Sequence, residues 1–219
     1  MNKLIVDETR PVTLVGGGDL GQDDLEWALS LAPFLVAADG GAGHALAQNH
    51  VPRAVIGDFD SISPDVAAQI PADQLFHLAE QDTTDFDKAL RSIRAPLVLA
   101  VGFLGGRVDH QLAALNSLVQ DQGPPCVLLG RHEVIFHLPP RIALPRAANE
   151  TVSLFPLQAV TARSSGLEWP LEGLRMAPGG QIGTSNRALG PIAISVDGPG
   201  LLGMVPRRHL PALIRALLP

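Results

Sequence analysis

Short apolar runs alternate with stretches of helical periodicity over the first part of the chain. Each run is apolar at nearly every position, which is typical of strands buried on both faces. Between two of the runs, Leu25, Ala28 and Leu29 recur at the spacing of one helix face. The pattern predicts strands at Pro11–Val15, Phe34–Ala38, Ala54–Ile56, Gln74–Leu78, Pro96–Val101, Cys126–Leu129 and Val134–Leu138. It predicts helices at Asp23–Leu31, Ala42–Gln48 and Pro64–Gln69, one capped by Thr84 and running to about Arg94, and one from Gly105–His110 to Val119.

This alternation of strand and helix predicts an α/β domain with a mostly parallel sheet. The pattern changes after Leu138, where short β-type runs are separated by Gly and Pro. The runs are Thr151–Phe155, Ala159–Ala162, Ile192–Val196 and Leu201–Val205, before a helix at Pro211–Leu218. We therefore predict an α/β domain over residues 1–138 and a smaller antiparallel β domain over residues 146–219, with the boundary near Pro139–Arg146.

The segment Ile56–Ser61 holds two carboxylates, Asp58 and Asp60, at the end of a predicted buried strand. If the backbone stays extended there, side chains two residues apart project to the same face. Two carboxylates side by side repel each other unless a cation lies between them, and hard oxygen ligands suit Mg²⁺. An acidic turn is the alternative, because Gly, Asp and Ser are common in turns.

Acids and glycines follow several of the other predicted strands too. The carboxyl ends of parallel strands meet at one edge of a sheet, which is where ligands bind. The segments concerned are Gly16–Asp19, Asp39–Gly41, Asp58–Ser61, Asp82–Asp85 and Arg107–Asp109. Their repetition at five strand ends favours a carboxylate cluster over isolated turns.

Composition narrows the class of protein. The formal net charge of −6 argues against binding to nucleic acid, which depends on clustered Lys and Arg. With only two lysines against fourteen arginines, a phosphate-binding side chain is expected to be arginine. The single cysteine, Cys126, lies in an apolar run and is interpreted as a buried, inert thiol. No stretch has the length of a membrane span and no secretory pattern opens the chain, so we expect a soluble, cytoplasmic protein.

Six segments, in order, resemble the thiamine pyrophosphokinase family. They are Ala38–Ala42, Gly57–Ile62, Gln81–Asp82 with Thr84–Phe86, Gly106–His110, Gly166–Leu171 and Gly183–Asn186. The resemblance implies a nucleotide-binding α/β domain, a β-sandwich domain and a homodimer with active sites at the subunit interface. It implies Mg²⁺-dependent transfer of pyrophosphate from ATP to the thiamine hydroxyl, which yields thiamine diphosphate and AMP.

The resemblance also implies roles for individual residues. Asp58, Asp60 and Asp85 would hold Mg²⁺ and, with Asp82 and Arg107, form the catalytic set. The nucleotide side would be lined by Asp39, Gly40, Gly41, Thr84, Arg107 and Asp109. Thiamine would be held by Trp169, Ser185 and Asn186. Asp82 is the suggested proton acceptor, and an indole face suits a cationic aromatic substrate.

Two alternatives remain open at this stage. A pyrophosphokinase for another hydroxymethyl heterocycle, such as a pterin, would keep the aspartates without needing Trp169, Ser185 and Asn186 together. A non-catalytic nucleotide or thiamine sensor could lose the metal-binding carboxylates without penalty, yet the aspartates are present. One departure from the family concerns Gln81, where many bacterial relatives carry lysine.

Overall fold

The computed structural model describes residues 4–80, 82–120 and 123–218, and Gln81 lies outside them. The chain divides into two compact units, residues 1–117 with 121–130 and residues 118–120 with 131–219. Both units contain extensive β-sheet, and the first also carries most of the described helices. The predicted order, an α/β part followed by a β part, is confirmed at this level.

The first unit alternates strands and helices. Its strands are β1 Val6–Asp7, β2 Val12–Val15, β3 Phe34–Ala38, β4 Ala54–Gly57, β5 Leu75–His77, β6 Ile93–Arg94, β7 Val98–Val101 and β8 Cys126–Leu129. Its helices are α1 Asp24–Leu31, α2 Gly41–Ala47, α3 Pro64–Ala67, α4 Asp85–Arg91 and α5 Val108–Leu118. The main sheet has the order β8-β7-β2-β3-β4-β5, and every pairing along it is parallel.

Strands β2, β4 and β7 are buried at every position, and helices α1, α2 and α4 pack against the sheet. β2 and β7 pair in register, Val12 with Val98, and neither strand has a solvent-facing residue. Continuous apolar runs of this kind are what a parallel sheet requires. The chain runs outward from β2 to β5 in one direction and returns to β7 on the other side of β2. A crevice at such a reversal of strand order is the usual ligand site of an open α/β sheet.

Helix α4 was predicted to run to about Arg94, and this prediction was wrong. The helix ends at Arg91, and β6 follows at once, paired in parallel with β1. The carbonyl of Ser92 accepts hydrogen bonds from the amides of Ile5 and Val6. The partner strand lies far away in sequence, so helical periodicity alone extends the helix too far.

The second unit consists of antiparallel strands and one helix. The strands are β9 Glu133–His137, β10 Arg141–Leu144, β11 Thr151–Pro156, β12 Val160–Leu167, β13 Leu174–Met176, β14 Gly183–Val196 and β15 Leu201–Pro206, and the helix is α6 Leu210–Leu217. β9 pairs with β15 and so lies with this unit, whereas the sequence placed it at the end of the first domain. The long strand β14 pairs with β11 through its first half and with β10 and β12 through its second half.

No helix in the described ranges combines the length and the apolarity needed to cross a bilayer.

Candidate active site

Two glycine-rich loops meet at the carboxyl ends of β2 and β7. The amide of Gly18 donates to the carbonyl of Gly102 over 2.8 Å, and a Cβ on Gly16 would lie 2.7 Å from the same carbonyl. Gly102 has φ +74°, a conformation that favours glycine. The loops therefore approach each other more closely than side chains would allow.

The glycines after β3 have a similar structural cause. Gly41 opens α2, and a Cβ there would lie 2.1 Å from the carbonyl of Val15. Any other residue would push α2 away from the end of β2. Gly40 is the N-cap of the helix and offers no side chain. Of the two predicted nucleotide-side glycines, Gly41 is the one that keeps the helix start close to the end of β2.

Three carboxylates converge beside this crevice. One oxygen from each of Asp39, Asp58 and Asp60 lies within 4.8 Å of the other two. Asp39 follows β3, while Asp58 and Asp60 follow β4, so the cluster combines two neighbouring strand ends. Asp39 was predicted on the nucleotide side, and the structure places it with the predicted metal ligands.

The loop brings Asp58 and Asp60 together by a route that the sequence did not indicate. The prediction assumed an extended backbone, but Phe59 between them has φ +65°. Instead, the amide of Asp60 donates to Oδ1 of Asp58 over 3.3 Å. The ring of the strained residue Phe59 packs against His77, with a centroid distance of 5.5 Å.

Asp39 is the buried member of the cluster. Its Oδ2 accepts a hydrogen bond from the amide of Ser61, and its buried Oδ1 has no hydrogen-bond partner among the described residues. Burial raises the pKa of Asp39 to about 6, and the charge of Asp85 contributes in the same direction. A buried carboxylate oxygen without a partner is unfavourable unless a cation or water completes its coordination.

Lys88 lies against the cluster, and sequence reasoning missed it. Its side chain is 1% exposed, and its Nζ donates to Asp58 Oδ2 over 2.9 Å and to Asp85 Oδ1 over 3.0 Å. Burial disfavours the charged amine, but these two hydrogen bonds outweigh it and raise the pKa of Lys88. The signal was available, because Lys88 follows Asp85 by three residues in a predicted helix and must share its face.

The start of α4 holds three further predicted residues. Thr84 is the N-cap, and its hydroxyl accepts a hydrogen bond from the amide of Asp87 over 3.3 Å, as predicted. Asp85 joins the cluster through Lys88 and lies 3.2 Å from the position of a Cβ on Gly57. Asp82 is exposed, and within the described part of the chain no hydrogen bond or ion pair links it to the cluster.

Arg107 and Asp109 form a pair of their own at the start of α5. The guanidinium donates to both carboxylate oxygens, with Nη2 2.6 Å from Oδ2 and Nε 3.1 Å from Oδ1. Both side chains are exposed. The pairing lowers the pKa of Asp109 to about 2, mainly through the hydrogen bond from Arg107. The arginine is therefore fixed in direction and accessible to an anion.

In the second unit, Asn186 fixes the backbone of Trp169. The amide of Trp169 donates to Asn186 Oδ1 over 3.2 Å, and Asn186 Nδ2 donates to the Trp169 carbonyl over 2.7 Å. Asn186 is buried, whereas the indole is 52% exposed. The structure thus brings these two predicted residues together, with Asn186 positioning Trp169.

One face of the indole already has a cationic neighbour. The guanidinium carbon of Arg187 lies 5.2 Å from the ring centroid of Trp169. Arg187 is itself paired with Glu168, whose carboxylate accepts two hydrogen bonds from it. Glu168 offsets the positive charge there, and the rest of the indole surface is open to an aromatic ligand.

Ser185 lies inside β14 in a left-handed conformation, with φ +60°. Its amide donates to the hydroxyl of Ser153 over 2.9 Å, at the point where the register between β11 and β14 shifts. The backbone at this predicted thiamine-binding residue is therefore strained. Strain of this kind often marks a ligand-binding position.

The carboxylate cluster and its place in the fold indicate a class of enzyme. Convergent carboxylates, one of them with an orphaned buried oxygen, offer the hard ligands that Mg²⁺ prefers. They lie at the carboxyl edge of a parallel sheet beside glycine-rich loops, an arrangement that suits a phosphate-bearing ligand. The fold and site are those of an α/β enzyme that transfers phosphoryl groups, with a β unit appended.

Comparison with known proteins makes the assignment more particular. The model of the thiamin pyrophosphokinase catalytic domain matches residues 25–128, and that of the thiamin pyrophosphokinase vitamin B1 binding domain matches residues 139–201. Together they cover most of the chain, in the order of its two units. The chain belongs to the thiamine pyrophosphokinase family, whose members are ATP-dependent pyrophosphoryl transferases. The resemblance drawn from the six sequence motifs is thereby confirmed.

Individual relatives agree with this assignment. Thiamine pyrophosphokinase 1 of Arabidopsis thaliana is 30% identical over 196 residues, with 71% of either chain covered. Thiamine pyrophosphokinase 1 of Oryza sativa subsp. japonica is 31% identical over 189 residues, covering 71% of this chain and 72% of the relative. The solved thiamin pyrophosphokinase from Candida albicans shares the fold with a TM-score of 0.77 at 18% identity, over 92% of each chain.

Proposed function

We propose that this protein transfers the pyrophosphoryl group of ATP to the hydroxyl of thiamine, with Mg²⁺ held at the carboxylate cluster. The observation that carries the proposal is the convergence of Asp39, Asp58 and Asp60 at the sheet edge of a family member. The products are thiamine diphosphate and AMP. Membership of the family supports the substrates, and the donor set supports the metal.

The proposed metal ligands remain Asp58, Asp60 and Asp85, and Asp39 is added to them because its oxygen converges with those of Asp58 and Asp60. Lys88 links Asp85 to Asp58. Mg²⁺ held by these carboxylates would supply positive charge to offset that of the phosphate oxygens. The chain's own task is to keep these carboxylates ionised and in place. Arg107, fixed by Asp109 and exposed, is the proposed side-chain cation for the phosphates.

The remaining roles are also proposals. Thr84, Gly40 and Gly41 shape the nucleotide side by fixing the starts of α4 and α2. Asp82 is the proposed acceptor of the hydroxyl proton, and its exposure leaves it accessible to a bound substrate. In the β unit, Trp169 supplies the aromatic surface for thiamine and Asn186 supports it. Ser185, which precedes Asn186 in β14, is the third proposed thiamine-binding residue.

We further propose that the first unit, which ends at Gly130, forms the nucleotide domain, and that the second unit, from Arg131 onward, forms a β-sandwich domain that binds thiamine. The active enzyme is proposed to be a homodimer with active sites at the subunit interface, as the family resemblance implies. Exposed Trp169 and Leu189 in the β unit support a surface that another molecule covers.

One assay tests the proposed function directly. Purified protein is incubated with ATP, Mg²⁺ and thiamine, and AMP and thiamine diphosphate are separated and quantified. We expect both products in equal amounts, and none when the metal is chelated. Turnover with a pterin alcohol in place of thiamine would contradict the assigned substrate. Thiamine and ATP binding without any AMP would contradict catalysis.

A further inference from the structure

The ammonium of Lys88 lies between Asp58 and Asp85, two of the proposed metal ligands. Asp58 and Asp85 each accept one hydrogen bond from it, at 2.9 and 3.0 Å. Lys88 is among the largest fully buried side chains of the described residues. A buried lysine is unfavourable unless its charge is compensated, and these two carboxylates compensate it.

The charges around the cluster are unbalanced without this lysine. Asp39, Asp58 and Asp60 converge from two strand ends, Lys88 joins Asp85 to Asp58, and the ammonium of Lys88 is a cation within hydrogen-bond distance of both. Like charges at this separation repel one another strongly in a partly buried setting. Some cation must offset them before a metal–nucleotide complex arrives.

We propose that Lys88 is a positioning residue, a built-in cation that holds Asp58 and Asp85 together and keeps the carboxylate cluster assembled when no divalent ion is bound. Asp58 accepts from Lys88 through Oδ2 and from the amide of Asp60 through Oδ1, so both of its oxygens are oriented. The lysine thereby fixes Asp58 relative to α4, and the loop amide fixes it relative to Asp60. This inference rests on the proposed cation site, and Lys88 itself touches neither substrate nor metal in it.

A purely packing role for Lys88 makes a different prediction. Loss of a buried aliphatic stem destabilises a protein equally with and without divalent ions. Loss of a built-in cation leaves a vacancy that another cation can fill, so the defect should be repaired by Mg²⁺. The two explanations are separated by how much the unfolding temperature depends on Mg²⁺.

The test compares Lys88→Met with wild type and with Arg91→Met by thermal unfolding, in chelator and in excess Mg²⁺, without ATP or thiamine. Arg91 is the matched control, because it lies one turn further along α4 and pairs with Glu80 and Asp87 instead of the cluster. We expect Lys88→Met to unfold well below wild type in chelator and to recover most of that difference in Mg²⁺. Arg91→Met should show the same deficit in both conditions.

A second variant keeps the test decisive if Lys88→Met does not fold in chelator. Lys88→Met combined with Asp58→Asn removes one negative charge together with the positive one. We expect this double variant to be more stable in chelator than Lys88→Met and to respond less to Mg²⁺. A deficit of Lys88→Met that Mg²⁺ leaves unchanged, or a double variant no more stable than the single one, would overturn the proposal. Because none of these measurements uses turnover, they are independent of the assay of the proposed function.

Discussion

The carboxylates of the cluster differ in exposure, and this difference separates their tasks. Asp39 is buried with one orphaned oxygen, Asp58 is held on both oxygens, and Asp60 is exposed at the mouth of the crevice. Asp60 accepts from the hydroxyl of Ser61 over 2.8 Å, which orients it without covering it. Under the proposed function, exposed Asp60 would be the first of the three to meet an incoming metal–nucleotide complex.

Asp60→Asn should leave the fold intact and remove nearly all turnover. The amide keeps the size of the side chain and an oxygen for Ser61, but the metal loses a charged ligand. We expect kcat for AMP formation to fall about 100-fold or more, since charge stabilisation by a bound metal contributes several kcal/mol. Thermal unfolding of the same preparation serves as the control. Wild-type turnover in this variant would contradict the role of Asp60.

Trp169→Ala should act on thiamine and spare ATP. The indole is half exposed, so its removal costs little stability, and Asn186 keeps the backbone bonds of residue 169. We expect KM for thiamine to rise about 10-fold, in line with a cation–π contact of about 1–2 kcal/mol. Kinetics with each substrate varied in turn measure the effect. If only KM for ATP changed, Trp169 would belong to the nucleotide side.

At the scale of elements, an ion-pair network joins three segment ends in the β unit. Glu150, before β11, contacts Arg208 at 2.9 Å and Arg146 at 3.5 Å, and His209 at the start of α6 lies 2.8 Å from it. Arg146 also donates to the carbonyl of Thr151. The network therefore links the start of α6 to the turn between β10 and β11, two segments that are far apart in sequence.

Stability should fall in acid because of this network. Burial alone raises the pKa of Glu150, but hydrogen bonds from the amide of Ala147 and from Arg208 outweigh it and lower the pKa to about 2. A depressed carboxylate pKa stabilises the fold above the ordinary value of 4.5, and this contribution is lost as pH falls toward 2. Burial and the charge of Arg146 lower the pKa of His209, which acts in the same direction from pH 6.5 downward.

Glu150→Gln tests this linkage through the pH dependence of unfolding. We expect the variant to be less stable than wild type at pH 7 and to lose less further stability between pH 4.5 and pH 2. Glu172→Gln is the control, because Glu172 forms an exposed pair with Arg163 at 3.9 Å. Parallel pH profiles for wild type and Glu150→Gln would show that the network does not titrate as described.

The sequence predicted those elements whose cause is local. The bounds of Phe34–Ala38 and Cys126–Leu129 were predicted to the residue. A short run that is apolar at every position is typical of a strand buried on both faces of a parallel sheet. β10 was missed, since Pro140 and Pro145 around it indicated a linker. The first half of β14 was missed as well, because its partner β11 cannot be inferred from local pattern.

In the site, too, features with a local or topological cause could be predicted, and features that depend on contacts between distant segments could not. The proximity of Asp39 to Asp58 follows from parallel topology, which places their strand ends on one edge. The left-handed Phe59 and the buried ammonium of Lys88 do not follow from topology, because both depend on contacts between separate segments. The three-residue spacing of Asp85 and Lys88 was an available signal, but the preference for arginine rested on the small number of lysines.

At the scale of the whole molecule, the proposed homodimer makes a prediction about mixed subunits. If each active site takes its carboxylates from one subunit and its indole from the partner, Asp60→Asn and Trp169→Ala defects can complement each other. In a mixed dimer, one site then carries both substitutions and the other carries neither. Co-expression with two tags isolates the mixed species, and turnover is measured at low thiamine, where both parent variants are impaired.

We expect the purified mixed dimer to recover about half of wild-type turnover, because one of its two symmetry-related sites is intact. The control combines the two variant homodimers after separate purification. As long as subunits do not exchange, the turnover of this sample should equal the mean of the two parent variants. Sedimentation of wild type at assay concentration checks that the dimer is the species measured. A mixed dimer no more active than the control sample would show that each subunit supplies its own indole, and the interface would then have no part in binding thiamine.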